Sequence, residues 1–463
     1  MPEYFDAIVI GTGQAGPSLA VRLAKAGRKT AIIERKAFGG TCVNVGCIPT
    51  KTLIASARAA HMARRGADFG VMIESTIKVD MRKVKARKDA VVAQSSTGVE
   101  KWLKSMPHLT VIEGHARFTS PNIVQVGERL LEGEQIFINT GGRAVVPEIP
   151  GIHDVPHLDN ASMMAVDFLP EHLLIIGGSY IGLEFAQMYR RFGARVTVIE
   201  TGPRLIARED PEVSDAIRDI LAGEGIAFHL GARDLHLSRA GDSVMLALTT
   251  DAGAQSVAAS HLLLATGRRP NTDDLGIEHT GIALDARGFI PVDEQLRTSV
   301  PGLWALGDVN GRGAFTHTSY NDYEIVAANL LDNEARKVSD RIPAYALFID
   351  PPLGRVGMNE AEVRRHIAQT GGSALIATMP MSRVGRANER GETAGFMKVL
   401  VDAGSRKILG ASLLGIEGDE AIHCILDAMY AGAPYTTITH AVHIHPTVSE
   451  LIPTLLGGLR PLK

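Results

Sequence analysis

Two glycine-rich turns, each set between an apolar strand and a helix and each followed 23 residues later by an acid, predict an α/β fold built on two Rossmann-like βαβ units. A C-terminal stretch with strands and helices but no such turn predicts a separate α+β domain. The chain is long enough for this: 463 residues, 45% hydrophobic and 21% charged, give a large buried core and about three domains. That composition excludes a disordered or fibrous protein.

The first unit opens with the apolar run Asp6 to Ile10, followed at once by Gly11-Thr12-Gly13-Gln14-Ala15-Gly16 and an alanine- and leucine-rich helix to Ala26. A second strand, Thr30 to Ile33, ends in Glu34. Gly11, Gly13 and Gly16 allow a tight turn and the close approach of a pyrophosphate to the helix N-terminus, and Glu34 can accept ribose hydroxyls. The pattern recurs as Leu173 to Ile176, then Gly177-Gly178-Ser179-Tyr180-Ile181-Gly182, a helix, and Arg195 to Ile199 ending in Glu200. One such fingerprint is a weak signal; two in the same format indicate two dinucleotide-binding units. Ser179 stands where the second glycine is expected and leaves less room beside a pyrophosphate.

Between the units, Val84 to Leu103 reads as a long helix whose basic cluster, Arg82, Lys83, Lys85, Arg87 and Lys88, is expected to be a solvated face. Short strands around Thr110 to Ile138, ending in Asn139-Thr140-Gly141-Gly142, and around Ser256 to Ala265, ending in Thr266-Gly267-Arg268-Arg269-Pro270, read as returns from small β-layers. From Tyr345 onward the pattern becomes strands at Phe396 to Val401 and Gly410 to Leu414 and helices from Glu417 to Ala431. Lys+Arg 48 against Asp+Glu 51, a formal charge of -3, offers no basic excess for nucleic acid or anionic membrane. With no apolar run of about 18 residues and no signal-peptide pattern at the N-terminus, the expectation is a soluble, cytoplasmic protein without nucleic-acid or membrane partners.

Three cysteines are too few for a disulfide framework, so each is read by its neighbours. Gly39-Gly40-Thr41-Cys42-Val43-Asn44-Val45-Gly46-Cys47-Ile48-Pro49-Thr50-Lys51 places two of them five positions apart at a glycine-rich helix start. Partial positive charge there lowers a thiol pKa and favours reversible disulfide chemistry. A structural zinc site lacks ligands, because the remaining Cys424 lies in an apolar helix and reads as a core residue. Two inert core cysteines are the other alternative. Near the C-terminus, His443-Ile444-His445-Pro446-Thr447-Val448-Ser449-Glu450 places a carboxylate five residues after a histidine, a pattern shared by structural and metal sites.

With these motifs the chain resembles, along essentially its whole length, the FAD-dependent pyridine nucleotide-disulfide oxidoreductases, which include dihydrolipoamide dehydrogenase, glutathione reductase and mercuric reductase. The resemblance implies an FAD-binding domain in two parts, residues 1–147 and 271–341, an NAD(P)H-binding domain at 148–270, and an interface domain at 342–463 that forms a homodimer. It implies FAD on the first fingerprint and at Gly307 and Asp308, NAD(P)H on the second, and further cofactor contacts from Gly40, Thr41, Thr140, Gly141, Thr266 and Gly267. Cys42 falls on the position of the thiol that attacks substrate, and Cys47 on that of the thiol next to the flavin. Lys51 resembles the lysine near flavin N5, paired with Glu184. His445 falls on the acid/base that reaches the partner subunit's disulfide, with Glu450 as its orienting anion; His440 and His443 are left as interface residues. No resident metal is expected.

Glu200 favours NADH over NADPH because a carboxylate accepts ribose hydroxyls and repels a 2′-phosphate, although Arg204 is near enough to grip that phosphate. For the acceptor, His445 to Glu450 argues for a small disulfide or dithiol. No cysteine follows Cys424, so neither the C-terminal cysteine pair nor the N-terminal metal-binding domain usual in mercuric reductases is expected here. Ser179 and the segments Phe315 to Tyr323 and Asp350 to Met358 nevertheless resemble the mercuric-reductase-like and reactive-chlorine-resistance, copper-reducing branch. The expected function is therefore electron transfer from NAD(P)H through FAD to a Cys42–Cys47 disulfide and on to a small disulfide or a metal ion. Dihydrolipoamide dehydrogenase and a slowly turning FAD-binding redox sensor or scaffold are the alternatives.

Overall fold

The computed structural model describes residues 1–463. Its first sheet has seven strands centred on Glu3–Ile10, in which Ala7, Ile8 and Val9 are fully buried. That burial explains the unbroken apolar run, because both faces of a parallel sheet are covered. Glu3–Ile10 pairs in parallel with Thr30–Glu34 on one side and with Arg129–Ile138 on the other. Leu109–Glu113 extends the parallel ladder beyond Thr30–Glu34, in the register Ile32 opposite Val111. Of the short strands expected around Thr110 to Ile138 as the return from a small β-layer, Ala116–Ser120 and Ile123–Val126 form an antiparallel excursion from which Arg129–Ile138 returns, whereas Leu109–Glu113 belongs to the parallel ladder. The strand Arg129–Ile138 is long enough to serve both arrangements, since residues 129–132 take the excursion and Ile136 to Ile138 take Leu303–Ala305 in parallel on the same edge.

The second sheet is four parallel strands in the order Ala227–His229, Arg195–Ile199, His172–Ile176, His261–Leu264. Period-two alternation splits its core. Leu174 and Ile176 face an antiparallel three-stranded layer through Leu237, Val244 and Leu246, while Leu173 and Ile175 face the helix Tyr180–Phe192 through Leu183 and Phe185. The two chain crossings between the first and second units are zipped together: Gly142–Ala144 pairs antiparallel with Arg268–Pro270.

The C-terminal domain is a six-stranded antiparallel sheet in the order Ala344–Leu347, Leu353–Gly357, Ile408–Leu414, Phe396–Asp402, Ala374–Pro380, Arg460–Pro461. The helices expected from Glu417 to Ala431 are Gly418–Ala421 and His423–Tyr430. The first of these presses on the sheet where a Cβ at Gly354 would lie 2.2 Å from Gly418 O, and the helix restarts beyond that contact. Lys398, 1% exposed, docks the domain on the second unit by donating to Asp210 Oδ2 at 3.0 Å and to Glu212, and holds Glu360 of its own domain at 2.8 Å.

The long helix is Met81–Lys104, capped by Asp80, whose carboxylate accepts from Arg82 N at 3.1 Å. Its basic cluster is only partly a solvated face. Lys88 is 4% exposed and donates to Met164 O at 2.7 Å, and Arg87 donates to Thr52 O at 2.9 Å, so two of the five cations tie the helix to its neighbours. No helix is long and apolar enough to cross a membrane.

Candidate active site

The two glycine turns are sterically equivalent. A Cβ on Gly11 would lie 2.4 Å from Asn139 O, and one on Gly177 would lie 2.3 Å from Ala265 O. A Cβ on Gly16 or Gly182 would meet the carbonyl of the turn's first glycine at 2.1 or 2.0 Å. Each acid closes its own turn: Glu34 accepts from Thr12 N at 3.0 Å, and Glu200 from Gly178 N and Gly202 N, both at 2.7 Å. Ser179 is exposed, with φ −113°, a conformation open to any residue, so the serine costs no backbone strain. Neither following helix, Ala15–Lys25 or Tyr180–Phe192, carries an acid in its first turn, so both N-termini suit an anion. Gly40 backs onto the first turn, where its Cβ would meet Gly13 Cα at 2.7 Å, and Thr41 beside it is exposed. These cradles fit a dinucleotide on each unit.

Thr140 and Thr266 spend their hydroxyls on the crossover, donating to Asn271 O at 2.9 Å and Val145 O at 3.2 Å. They leave the backbone at Gly141 and Gly267 as the open surface there, with no atom within 4 Å of either Cβ position. Gly307 N donates to the buried Asp322 at 2.6 Å, which fixes the turn that presents Asp308. Burial pushes the Asp308 carboxyl up, and Arg268, 3.7 Å away, opposes that shift.

Cys42 lies in the five-residue helix Gly40–Asn44, and Cys47 opens the helix Cys47–Arg64. Both are free thiols. Cys47 is pushed down to about 6 by the hydrogen bond from Cys42, helped by Thr316 and the Lys51 charge, against the cost of burial. The same hydrogen bond, with burial, drives Cys42 up. Reduced, the pair holds its proton on Cys42 and its negative charge on Cys47. Thr316 Oγ1, 3.1 Å from Cys47 Sγ, donates to that charge.

Lys51 lies one helical turn beyond Cys47 and donates to Glu184 Oε1 and Oε2 at 3.0 and 2.8 Å. Glu184 is buried on the helix Tyr180–Phe192, so the pair joins the cysteine helix to the second unit. Tyr180 donates to Glu209 Oε1 at 3.3 Å, and its ring stands edge-on to Phe315 and Tyr345. Arg204 turns to Asp215, 3.5 Å away. Cys424 keeps its thiol proton: burial pushes it up to about 11, and it donates to Ala421 O at 3.2 Å.

His445 Nδ1 lies 2.9 Å from Glu450 Oε2. The imidazole is 80% exposed against 13% for the carboxylate, so the dyad is oriented from within and presents its free edge outward. No hydrogen bond or ion pair joins His445 to the cysteines of its own chain. Val442 and Ile444 beside it are exposed apolar residues. His443 Nε2 contacts Ile438 O at 3.1 Å.

Thr12, Asn139, Arg268 and Thr316 belong to the site by geometry and were not singled out by the sequence. Thr12 was legible as the residue inside the first turn; the other three carry no local signal.

The sequence matches the pyridine nucleotide-disulphide oxidoreductase family over residues 5–322 and that family's dimerisation domain over residues 343–456. It is 38% identical over 462 residues to the probable pyridine nucleotide-disulfide oxidoreductase RclA of Escherichia coli (strain K12), covering 98% of this chain and 99% of that protein. It is 33% identical over 453 residues to a mercuric reductase of Streptomyces lividans, covering 97% and 94%. Among solved structures it matches the Cu(II) complex of the HOCl-induced flavoprotein disulfide reductase RclA from Escherichia coli, with TM-score 0.88, 36% identity and 99% of each chain covered.

Proposed function

The chain belongs to the pyridine nucleotide-disulphide oxidoreductase family, a class of oxidoreductases, and within it we propose a homodimeric, NADH-preferring flavoenzyme whose Cys42–Cys47 pair reduces a metal ion such as Cu(II) or Hg(II). The observation that carries this reading is the split pair itself, a thiolate on Cys47 held by Thr316 and Lys51 and a proton on Cys42. When bound, FAD supplies the two-electron centre that takes hydride from NAD(P)H and re-reduces the disulfide.

The chain's own residues divide the work. Gly11, Gly13, Gly16, Glu34, Gly40, Thr41, Gly307 and Asp308 hold FAD, with the crossover residues Thr140 and Gly141. Gly177, Ser179, Tyr180, Gly182 and Glu200 hold the nicotinamide coenzyme, with Thr266 and Gly267. Glu200 faces the ribose, and Arg204, engaged with Asp215, leaves that carboxylate to set the preference for NADH. Lys51, fixed by Glu184, places positive charge beside Cys47. Closing the reduced pair to a disulfide releases two electrons and the one proton held on Cys42, enough to take two Cu(II) to two Cu(I) or one Hg(II) to Hg(0).

A second reading, a small disulfide acceptor, is favoured by the His445–Glu450 dyad. His445 of the partner subunit takes the proton from Cys42, which attacks the acceptor to form a mixed disulfide, and returns that proton to the thiolate released. The Cys47 thiolate then attacks the Cys42 sulfur, closing the disulfide and releasing the second thiolate. The exposed Val442 and Ile444 flanking His445 support a protein surface covering this loop.

Anaerobic titration with NADH, followed by Cu(II), Hg(II), lipoamide and glutathione disulfide, tests both readings. Reoxidation by the metal ions but not the disulfides supports the first, and the reverse supports the second. Failure of all four to reoxidise a fully reduced enzyme rejects both in favour of a sensor or scaffold.

A further inference from the structure

Lys51 and Arg58 stand seven residues apart on the helix Cys47–Arg64, two turns along one face, and Glu184, Gln187 and Arg191 follow a three- and four-residue spacing on the helix Tyr180–Phe192. These polar faces meet in a seam, and the segment 348–350 of the C-terminal domain lies across it. At one end Phe348 N donates to Glu184 Oε1 at 3.1 Å, while the Phe348 ring centroid lies 4.3 Å from Lys51 Nζ. At the other end Asp350 N donates to Gln187 Oε1 at 2.7 Å, and Gln187 Nε2 donates back to Asp350 O at 2.7 Å. The Asp350 carboxylate pairs with Arg191, at 2.5 Å, and with Arg58. Burial acts to raise its pKa, but the two guanidiniums win and hold it below the usual carboxylate range.

We propose that Phe348 is a positioning residue for Lys51: its aromatic face and its peptide N–H together hold the Lys51–Glu184 pair beside Cys47, and Asp350 anchors the segment that carries it. The inference rests on the reading of Lys51 given above. Lysine is a flexible point charge, and one third of the Lys51 side chain is exposed. Glu184 restrains the ammonium from one side. The negative face of the ring restrains it from another, so that without the ring the ammonium can swing toward water. Cys47 is faced by Cys42, Thr316, Lys51 and Glu184, and among these Lys51 lowers its pKa while the Glu184 charge raises it. A wandering Lys51 leaves Glu184 with the larger influence, and the Cys47 thiolate becomes harder to form.

The test uses the holoenzyme and reads the pH midpoint of the long-wavelength thiolate-to-flavin absorption after two-electron reduction. Phe348→Leu should raise the midpoint, lowering the thiolate-forming equilibrium constant about three- to ten-fold, the range expected from a partly exposed cation–π contact. Phe348→Tyr, which keeps the ring, should restore it to within about two-fold. Lys51→Met should shift it at least as far as Phe348→Leu, and adding Phe348→Leu to Lys51→Met should do nothing more. Phe348→Met serves as a second ring-free variant if the leucine protein does not fold. A ring-free variant with the wild-type midpoint, beside a shifted Lys51→Met, overturns the role of Phe348 alone. A silent Lys51→Met overturns the reading of Lys51 itself, and additive effects overturn the route through Lys51.

Discussion

Thr316 Oγ1 lies 3.1 Å from Cys47 Sγ although 269 residues separate the two along the chain. Thr316 opens the helix Thr316–Leu331 and Cys47 opens Cys47–Arg64, so two helix N-termini converge on one sulfur. The positive ends of both helices and the hydroxyl donor favour the thiolate.

Because Cys47 is held near 6, below the ordinary thiol range, its thiolate persists above that pH and is lost as pH falls through it. Replacing Thr316 with Val should raise this midpoint by about one pH unit, the effect of losing one charge-assisted hydrogen bond, and Thr316→Ser should keep it. Absorbance at long wavelength against pH, in anaerobically reduced enzyme, measures both.

The two thiols should be distinguishable. Cys42→Ser should show the long-wavelength band without reductant, because Cys47 then has no disulfide partner, and Cys47→Ser should lack it under all conditions. Identical spectra for the two variants would reject the assignment.

Coenzyme choice should follow Glu200. Its two oxygens are already held by Gly178 N and Gly202 N, so Glu200→Ala removes a fixed anion rather than a mobile one. The expected change is at least about ten-fold in the ratio of kcat/KM for NADH to that for NADPH, the scale of one charged hydrogen bond lost and one repulsion removed. Steady-state kinetics with both coenzymes reads it; an unchanged ratio takes Glu200 out of the ribose site.

His445 should matter for disulfides and not for hydride transfer. His445→Gln should leave NADH-dependent flavin reduction intact and lower turnover with a disulfide acceptor by about 10²-fold or more. Mixed dimers of Cys42→Ser with His445→Gln should regain one working site of two, since thiols and base then come from opposite chains. No recovery after verified subunit exchange would place thiols and base on one chain.

The sequence alone determined what is local. Each acid lies 23 residues beyond the first glycine of the turn it closes, and the hydrophobic runs adjoin them, so strand, turn and helix are legible from spacing and steric need, and the α/β fold class and family follow. The cysteine pair is equally local, five positions apart at a helix start. Local reading erred where a partner elsewhere decides. Leu109–Glu113 joins the parallel sheet because Thr30–Glu34 offers it an edge. Lys88 is buried because Met164 O receives it. Tertiary structure alone decided what surrounds the sulfur: Thr316 on Cys47, Phe348 over Lys51, and an exposed His445 bonded to Glu450 rather than to its own cysteines. The reason is range. Backbone sterics and hydrophobic periodicity act over a few residues and leave a pattern in the chain, whereas a 3 Å contact between domains depends on how separate cores pack, which no spacing along the sequence records.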